Sequence, residues 1–381
     1  MRLLFIASGL RLGGAEVVLL ELLRHLDRRV FAPTVISLTG GGDIADRIAA
    51  LDVPVITLDM RRQPLGAFSS LVRQVRAMRP DVVQTWMYHG DLFGSLAARL
   101  AGVRRIVWGL HNSTLSAAGS RRSTRLVRRA CAWLSHRVPR RIVSCSVVAR
   151  DVHLEIGYAS APFVVIGNGF DVERFRPAPA ARAELRAELG LAPDTPVVLA
   201  VGRDDPQKDH PNFVRAAAIV HAVQPHVHFV MAGTGLTPDH ARIGALARER
   251  GVSPVLHLLG PRHDVPQLMA AADLVVLASA YGEAFPLVIG EAMACGVPVV
   301  ATDVGDSRLL VADCGRIVPP AHPESLAQAM LELLALDESD RAALGVRARA
   351  RIEQHYEIGH ITRKYEDVYR SVEREGRPCA D

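Results

Sequence analysis

Short apolar, β-branched runs alternate with segments of helical periodicity along nearly the whole chain. This order is typical of parallel sheets whose strands are joined by helices that cover both faces. We therefore predict an α/β fold with doubly wound parallel sheets. In the first half the predicted strands are RLLFIA (2–7), PTVISLT (33–39), PVITLD (54–59), DVVQTW (81–86), RIVWGL (105–110) and RIVSCS (141–146). In the second half they are PVVLAVG (196–202), HVHFVMAG (226–233), VLHLLG (255–260), ADLVVLAS (272–279), VPVVATD (297–303) and GRIVPP (315–320).

A chain of 381 residues is longer than a single hydrophobic core usually serves, so two domains are expected. The stretch 164–180 contains Gly, Asn and Pro and is predicted to be a linker. We predict an N-terminal domain over 1–168 and a second domain over 169–355. The stretch that begins with HYEIGHITRKYEDVYRSVERE is predicted to be one helix without a following strand, and 356–381 is expected to pack back towards the N-terminal domain.

Composition places the chain among globular proteins, with 49% hydrophobic and 22% charged residues. Its five cysteines are scattered and form no CxxC pair, which favours reduced, structural thiols in a cytoplasmic protein. The start, MRLLFIASGL, is interpreted as a first strand and not as a signal peptide. No apolar run approaches the roughly 18 residues that a membrane-spanning helix needs.

The net charge of +5 is distributed unevenly, because the segment from Arg121 to Arg141 contains eight arginines and no acidic residue. One interpretation is a solvated helix face. The other is a surface for anionic lipid or for a diphosphate-bearing acceptor, with apolar neighbours such as Leu126 and Trp133. Nucleic acid is not expected as a partner, since no aromatic interleaving accompanies the arginines. The residues assigned to this surface are Arg121, Arg122, Arg125, Arg128 and Arg129.

Two loops that follow predicted strands carry residues suited to phosphate. Gly13 and Gly14 precede a helix, where backbone N–H groups and the helix dipole favour an anion, although a tight turn explains them equally well. In the second half, Arg203 and Lys208 lie just past a strand end, where open α/β sheets bind ligands. A guanidinium and an ammonium group there suit a diphosphate; the alternative is a charged loop with internal salt bridges.

The stretch YGEAFPLVIGE (281–291) holds two glutamates, Glu283 and Glu291, around a short apolar segment. Pro286 is suited to the first position of a helix, which should end near Gly296. The N–H groups around 285–288 would then face a phosphate, and the carboxylates would accept hydrogen bonds from sugar hydroxyls. A surface helix with two solvated acids is the alternative; the phosphate and polyol together explain both glutamates.

Taken together, these residues resemble glycosyltransferase family 4, retaining enzymes that use nucleotide sugars. The resemblance implies the GT-B fold, in which two Rossmann-like domains face a central cleft. It rests on five motifs in order along most of the chain: GGAE (13–16), GLHNS (109–113), VGRDDPQKDH (201–210), HLLGPRHDVPQLMAAAD (257–273) and GEAFPLVIGEAMACGVPVVATDVG (282–305). The last one carries the family's pattern of two glutamates separated by seven residues.

The resemblance also implies residue roles. Arg203 and Lys208 would bind the donor diphosphate, Glu291 the nucleotide ribose, and Glu283 the hydroxyls of the transferred sugar. His111 matches the family's histidine near the reacting centre; a structural histidine is the alternative. The other positions implied in donor binding are Gly13 and Gly14 at the diphosphate, the backbone of Arg262 at the base, and Phe285, Pro286 and Leu287 along the sugar and phosphate.

The chain departs from the family at three positions that we can name. Ala284 and Leu287 stand where relatives often have Gly and Asn, and Leu287 removes a polar side chain beside the donor sugar. Gly167 stands where many members have Pro, which affects the stiffness of the linker. The identity of the donor sugar is therefore left open by these residues.

The expected reaction transfers a hexosyl-type sugar from a nucleoside diphosphate sugar, with UDP favoured on family frequency, to an acceptor hydroxyl with retention. Neither a cofactor nor a metal ion is expected, since we see no DxD-type pair of acids. The expected acceptor is a lipid-linked saccharide of cell-surface polysaccharide biosynthesis. The expected location is the cytoplasm, with peripheral attachment to the inner face of the cell membrane as a further expectation.

Three other interpretations remain at this point. A small soluble acceptor would replace the lipid-linked one. A nucleotide-sugar epimerase of related fold would alter the donor without an acceptor, but the retaining-transferase motif disfavours it. A non-catalytic sugar-binding protein of the same architecture would have no use for Arg203 and Lys208 at a diphosphate.

Overall fold

The computed structural model describes residues 1–113 and 122–375. The chain divides into two compact units. The first unit comprises Met1–Gly169 together with the last helix, and the second unit comprises Phe170–Glu357. Each unit is described by itself below.

The first unit is built on a seven-stranded sheet in which every described pairing is parallel, with the order β3-β2-β1-β4-β5-β6-β7. The central strands β4 and β5 are buried at every position, because helices cover both faces of a doubly wound sheet. The strand order reverses between β1 and β4. The strands are β1 (Arg2–Ala7), β2 (Ala32–Ser37), β3 (Val55–Thr57), β4 (Val82–Trp86), β5 (Ile106–Leu110), β6 (Arg141–Ser144) and β7 (Phe163–Val165).

The helices of the first unit bury one apolar face each against this sheet. In α3, for example, Leu71 and Val75 are fully buried, and Pro64 starts the helix at a position where its missing N–H costs nothing. The helices are α1 (Gly14–His25), α2 (Asp43–Ala49), α3 (Pro64–Met78), α4 (Met87–His89), α5 (Ser95–Leu100), α6 (Arg122–Leu134), α7 (Val147–Glu155) and, at the end of the chain, α16 (Ile358–Glu375), with a π-helical turn at Gly90–Gly94.

The second unit repeats the architecture with a six-stranded, all-parallel sheet in the order β10-β9-β8-β11-β12-β13. Its strands β11 and β12 are completely buried and consist of Leu, Val, Ala and Thr. The strand order reverses between β8 and β11. The strands are β8 (Val197–Val201), β9 (His228–Ala232), β10 (Leu256–Leu258), β11 (Leu274–Leu277), β12 (Val299–Thr302) and β13 (Gly315–Val318).

Helices again connect these strands and cover the sheet. The buried residues of α9 and α14 join one continuous core with β8 and β9, centred on Phe213 and Phe229. The helices of the second unit are α8 (Pro179–Glu188), α9 (His210–Val223), α10 (Ala241–Glu249), α11 (Val265–Ala271), α12 (Leu287–Ala294), α13 (Ser307–Val311), α14 (Pro323–Leu334) and α15 (Glu338–His355), with 3-10 turns at Pro206–Lys208 and Ser253–Val255.

All twelve predicted strands are present, and one further strand was not predicted. The first sheet has a seventh strand, β7 (Phe163–Val165), which overlaps the start of the stretch assigned to a linker, because its short apolar run leads directly into the Gly, Asn and Pro residues that follow. The predicted C-terminal helix is present as α16 (Ile358–Glu375), and α15 ends directly before it at His355. Between these two helices the N–H of Phe170 donates to the carbonyl oxygen of Tyr356 at 2.8 Å, so this carbonyl is satisfied outside the helix.

The last helix belongs to the first unit. Tyr369 of α16 packs edge-on against Phe5 of β1, with ring centroids 6.2 Å apart. Among the described residues no helix is both long enough and apolar enough to cross a membrane. The four cysteines in the described part of the chain are buried free thiols.

Candidate active site

A polar cluster of the second unit lies where the strand order of its sheet reverses. Lys208 follows β8 and Glu283 follows β11, and Nζ of Lys208 lies 2.6 Å from Oε1 of Glu283. The hydroxyl of Ser279 donates to the same carboxylate oxygen at 2.8 Å. The side chains of Lys208 and Glu283 are only 17% and 11% exposed. Open α/β sheets bind ligands at this kind of switch point, outside the carboxyl ends of the strands.

The two loops that carry this pair are fixed to each other through the backbone. The N–H of Ala280 donates to the carbonyl oxygen of Gln207 at 2.9 Å. The hydroxyl of Thr302, at the end of β12, donates to the carbonyl oxygen of Ser279 at 2.7 Å. Gly305 lies beneath the Glu283 backbone with φ +55°, and a Cβ atom there would meet the Glu283 carbonyl oxygen at 2.2 Å. The ammonium and the carboxylate are therefore held by three neighbouring strand ends.

Arg203 lies in the same loop as Lys208 but is oriented differently. Its side chain is 55% exposed, and its Nε donates to Oδ2 of Asp205 at 3.0 Å. Asp205 also caps the 3-10 turn by accepting from the N–H of Gln207. The internal salt bridge that the alternative interpretation of this loop expected is therefore present. The guanidinium group faces solvent and keeps further donors for an anion.

The helix α12 begins where the glutamate motif predicts it, although Pro286 is its N-cap and Leu287 its first residue. Glu291 lies in the second turn. Phe285 is buried directly before the helix, and its ring stacks on that of Phe170 with centroids 6.3 Å apart. Leu287 is half-buried at the helix start, so the apolar side chain stands at the position that distinguishes this chain from relatives.

Phe170 was not among the predicted site residues. Gly290 leaves room for its ring, since a Cβ atom at position 290 would lie 2.0 Å from Cζ of Phe170. The ring therefore packs directly on the backbone of α12 beneath the segment that precedes the helix. The sequence signal was the Gly-Phe pair at 169–170 together with a glycine inside the apolar helix, which are features of close packing.

A second group that the sequence analysis missed is the glycine pair after β9. Gly233 has φ +149°, and a Cβ atom there would lie 2.0 Å from the carbonyl oxygen of Gly202. Gly235 has φ +92° and packs on the side chain of Asp204. These two positions allow the loop after β9 to lie directly against the loop that carries Lys208. The stretch AGTG directly after a predicted strand is the signal that could have indicated it.

Arg262 follows β10 and is held by two carboxylates. Its guanidinium group donates to Asp264 at 2.6 and 2.8 Å and to Glu188 of α8 at 2.6 and 3.1 Å. Hydrogen bonds to these carboxylates raise the pKa of Arg262 above its ordinary value. The side chain is therefore occupied within the protein, and the predicted contact of its backbone with a nucleobase stays a prediction.

In the first unit, the glycine pair lies at the start of α1 as expected. Gly13 is the N-cap in an extended conformation, and Gly14 is the first helical residue. A Cβ atom at position 13 would lie 2.5 Å from Oε2 of Glu16, so the carboxylate of Glu16 folds back over the first helical turn. An incoming diphosphate would have to displace this carboxylate, and the role of the pair in binding stays a prediction.

His111 follows β5 and stacks on the indole ring of Trp86 at the end of β4, with centroids 4.1 Å apart and planes 26° apart. Burial lowers the pKa of His111 to about 3, so the imidazole is neutral at pH 7. Within the described part of the chain, neither ring nitrogen has a hydrogen-bond partner. The indole N–H of Trp86 donates to the carbonyl oxygen of Ala15 at 2.9 Å, which connects this pair to the first turn of α1.

The basic segment forms α6 from Arg122 onward, and Arg121 lies outside the described residues. Leu126 and Trp133 of this helix are each 66% exposed. Arg129 is exposed on the surface, and Arg125 is half-buried. Arg128 lies close enough to the buried Tyr88 hydroxyl for its charge to oppose the rise in the pKa of Tyr88 that burial causes. Arg128 is half-buried and interacts within the first unit, and its part in a membrane surface stays a prediction.

Two family models match the chain in succession. Residues 12–174 match Glycosyltransferase Family 4, and residues 181–351 match Glycosyl transferases group 1. Together they cover most of the chain, in the order in which the two units follow each other. The chain belongs to glycosyltransferase family 4.

Curated members of this family align over much of the chain. The UDP-Gal:alpha-D-GlcNAc-diphosphoundecaprenol alpha-1,3-galactosyltransferase of Escherichia coli is 28% identical over 271 residues, which cover 70% of this chain and 69% of that protein. The D-inositol 3-phosphate glycosyltransferase of Thermobispora bispora is 33% identical over 251 residues. That alignment covers 61% of this chain and 57% of the relative, so this chain spans little more than half of the length of that protein.

Solved structures of glycosyltransferases superpose on nearly the whole chain. HepE of Anabaena in complex with UDP has a TM-score of 0.86 at 25% identity, covering 97% of this chain and 100% of that one. HepE in complex with UDP-glucose has a TM-score of 0.84 at 26% identity with the same coverage. Sucrose-phosphate synthase from Thermosynechococcus elongatus has a TM-score of 0.81 at 21% identity, covering 99% of this chain and 100% of that one. The predicted GT-B fold is thereby confirmed.

Proposed function

We propose that this glycosyltransferase moves a hexosyl-type sugar from a UDP-sugar to an acceptor hydroxyl and retains the anomeric configuration. The observation that carries the proposal is the Lys208–Glu283 pair, held at the switch point of the second sheet beside the start of α12. An ammonium group suits the diphosphate, and a carboxylate suits sugar hydroxyls. HepE, which resembles this chain along nearly its full length, has been solved with UDP and with UDP-glucose.

The proposal assigns a role to each part of the site. Lys208, Arg203 and the N–H groups at the start of α12 stabilise the charge that builds on the leaving diphosphate. Glu283 binds hydroxyls of the transferred sugar, and Glu291 binds the ribose. In the first unit, Gly13, Gly14 and His111 are assigned to the diphosphate and the sugar of the donor.

Lys208 and Ser279 both donate to Oε1 of Glu283, so this carboxylate oxygen is engaged within the protein. We therefore assign it to binding, and no covalent glycosyl-enzyme step is needed. An oxygen of the departing β-phosphate takes the proton of the acceptor hydroxyl on the same face of the sugar. The cationic side chains and the helix start supply the positive charge for this step, so the proposed reaction needs neither a metal ion nor a cofactor.

A lipid-linked saccharide is the proposed acceptor, in cell-surface polysaccharide biosynthesis. The Escherichia coli relative is named for a diphosphoundecaprenol-linked acceptor. In the first unit, the exposed Leu126 and Trp133 of α6 lie on a helix that also carries Arg125 and Arg129. Apolar and cationic side chains on one helix suit the interface of an anionic membrane. We propose peripheral attachment to the inner face of the cell membrane through α6.

A small soluble acceptor is the second candidate. It is favoured by the relatives named D-inositol 3-phosphate glycosyltransferases, which include one 33% identical over 251 residues. In this case α6 would have no part in acceptor use.

The two acceptor classes are separated by assaying both on variants of α6. The substitutions Leu126→Ser and Trp133→Ser alter exposed side chains, so the fold should persist. When the lipid-linked acceptor is presented in anionic vesicles, we expect transfer by these variants to fall about tenfold. Slow hydrolysis of the donor, measured without vesicles, should be unchanged. Val346→Ser, which changes a 70% exposed side chain of the second unit, is the matched control. Transfer to soluble inositol phosphate that is insensitive to all three changes would favour the second candidate.

A further inference from the structure

A basic cavity lies at the amino-terminal edge of the first sheet, at the opposite ends of the strands from the loops described above. The residues before β4, β5 and β6 and the first residue of β1 meet there, because these four strands are neighbours in the sheet. The cavity has a volume of about 720 Å³. Six arginines line it: Arg2, Arg76, Arg79, Arg104, Arg105 and Arg140.

The charges in this cavity are not balanced. The two acids that line it are Asp81 and Glu375. Asp81 lies 3.8 Å from a guanidinium nitrogen of Arg2, and Glu375 is paired with Arg141 of the adjoining surface. Within the described residues, the guanidinium groups of the remaining arginines form no salt bridge with an acidic side chain. Those arginines are Arg76, Arg79, Arg104, Arg105 and Arg140.

Helix dipoles explain only part of this cluster. The helices α3 and α5 both end here, and cations are favourable beside the carbonyl groups of a helix C-terminus. Arg76 has this role, since its Nη2 donates to the carbonyl oxygen of Leu100 at 3.0 Å. Arg104, Arg105 and Arg140 lie in the segments that lead into β5 and β6, and in the described part of the chain no hydrogen bond of their guanidinium groups ties them to a helix end.

Arg79 stands at a position where arginine is not the unstrained choice. It is the C-cap of α3 with φ +46° and ψ +58°, in the left-handed region. Glycine is the residue that adopts this conformation without steric cost. Arg79 lines the cavity, so a cationic residue stands at this edge in spite of the backbone conformation.

The character of the lining indicates the class of ligand. A volume of about 720 Å³ is in the range of small-molecule sites. Guanidinium groups bind phosphate oxygens in bidentate fashion. None of the described lining residues is aromatic, so the cavity offers no stacking surface for a nucleobase. A second cavity of about 460 Å³ shares Arg140 and Glu375 with the first and adds Arg141 and His136, which extends the basic surface.

We propose that this cavity is a binding site for a small polyanion that carries at least two phosphate groups. The site is independent of the donor site proposed above, because Arg203, Lys208 and Glu283 all belong to the second unit. Arg104, Arg105 and Arg140 bind the phosphate oxygens, and Arg79 contributes the charge at the end of α3.

Isothermal titration with inorganic pyrophosphate tests this site directly. Because pyrophosphate also suits the proposed donor site, it is titrated into the full chain and into Lys208→Ala. We expect binding that survives in Lys208→Ala and weakens about tenfold or more in the double variant Arg104→Ala/Arg105→Ala, since charge-assisted hydrogen bonds are lost. The matched control is Arg215→Ala/Arg248→Ala, which removes two exposed arginines of the second unit and should bind like the parent.

The variant Arg79→Gly separates binding from stability. Because glycine relieves the left-handed conformation, we expect its thermal midpoint to stay or rise while its affinity for pyrophosphate falls. A fall in the midpoint with unchanged affinity would mean that Arg79 serves the helix end alone and would count against the proposal.

Two outcomes would overturn the proposal. One is pyrophosphate binding that is lost in Lys208→Ala and unchanged in Arg104→Ala/Arg105→Ala, because all binding would then belong to the second unit. The other is arginine-dependent binding to vesicles of phosphatidic acid without any binding of pyrophosphate. That result would assign the arginines to a membrane surface and not to a small ligand.

Discussion

Lys208 Nζ and Glu283 Oε1 lie 2.6 Å apart although 75 positions separate the two residues along the chain. The pair exists because β8 and β11 are neighbours in the sheet, so that the loops after them meet at one edge. A cation for phosphate and a carboxylate for hydroxyls are thus brought together by topology. In the proposed function, the ammonium group of Lys208 binds the diphosphate of the nucleotide sugar, and the carboxylate of Glu283 binds hydroxyls of its sugar.

Neutralising this pair should separate its role in stability from its role in activity. Lys208→Met removes the cationic partner of a largely buried carboxylate, and we expect a loss of about 1–3 kcal/mol in the free energy of unfolding. The double variant Lys208→Met/Glu283→Gln should regain most of this stability but remain at least about 100-fold less active. Urea unfolding and donor turnover are the measurements. A double variant that is no more stable than Lys208→Met would contradict the role of the pair.

The close contact of Gly290 with Phe170 gives a second prediction. In Gly290→Ala the new methyl group would lie 2.0 Å from the Phe170 ring, which must move and disturb its stack on Phe285. We expect a loss of about 1–3 kcal/mol in stability, as for other overpacked cores, and weaker donor binding. Thermal unfolding and titration with UDP measure the two effects.

The control for Gly290→Ala is Gly244→Ala in α10. Its methyl group would meet only the end of the Arg248 side chain, at 3.6 Å. Alanine in a helix interior should stabilise by about 0.5–1 kcal/mol without a change in UDP affinity. Equal effects of the two substitutions would contradict the packing described for Phe170.

Trp86 should determine how His111 is held. Trp86→Phe keeps an aromatic ring under the imidazole but loses the hydrogen bond to Ala15, so stability should fall by about 1 kcal/mol and kcat by less than about tenfold. Trp86→Leu removes the stacking partner, and we expect a larger fall in kcat per folded molecule with a smaller change in the KM of the donor. Steady-state kinetics, normalised by circular dichroism, checks this. Indistinguishable kcat values for the two variants would show that stacking does not matter.

His153 predicts how stability depends on pH. Its Nδ1 donates to the carbonyl oxygen of Ala149 at 2.6 Å, so Nε2 is the acceptor for the Tyr88 hydroxyl at 2.8 Å. Burial lowers the pKa of His153 from 6.5 to about 4. Between these values the unfolded chain takes up a proton that the folded protein does not, so stability falls as the pH drops below about 6.5.

At pH 5 this contribution is roughly 2 kcal/mol relative to pH 7.5. His153→Gln should reduce the difference between the unfolding free energies measured at pH 7.5 and pH 5 by about that amount. The buried His111 acts in the same direction, so some dependence on pH should remain. A variant with the full pH dependence of the parent would show that His153 is protonated in the folded protein.

Much of the fold could be read from the sequence, because buried parallel strands are continuous apolar runs of Val, Ile and Leu. The clearest examples in the second unit are β8 (VVLAV) and β11 (LVVL). The strand β7 was missed because its short apolar run leads directly into the Gly, Asn and Pro residues of the stretch assigned to a linker. The hydrogen bond from the N–H of Phe170 to the carbonyl oxygen of Tyr356, between α15 and α16, joins residues far apart in the sequence and has no local signal.

The site was predictable where a side chain follows a strand and less so where contacts are long-range. Lys208 and Glu283 each follow a strand, and their proximity needs only that β8 and β11 be neighbours. The ion pair between Arg262 and Glu188 joins residues 74 positions apart, so no local sequence pattern indicates it. The position of the half-buried Arg128 beside Tyr88 likewise depends on the fold of the first unit, because a run of arginines looks the same on either face of a helix.

The central claim is that Lys208, Glu283 and Glu291 form the donor site for a nucleoside diphosphate sugar. Its most direct test is the release of nucleoside diphosphate from a panel of UDP-, GDP- and ADP-sugars by the parent protein and by Glu291→Ala. We predict slow release from one UDP-sugar that is lost in the variant. Release from none of the donors, together with no binding of any nucleotide, would contradict the claim and return the chain to the non-catalytic sugar-binding alternative.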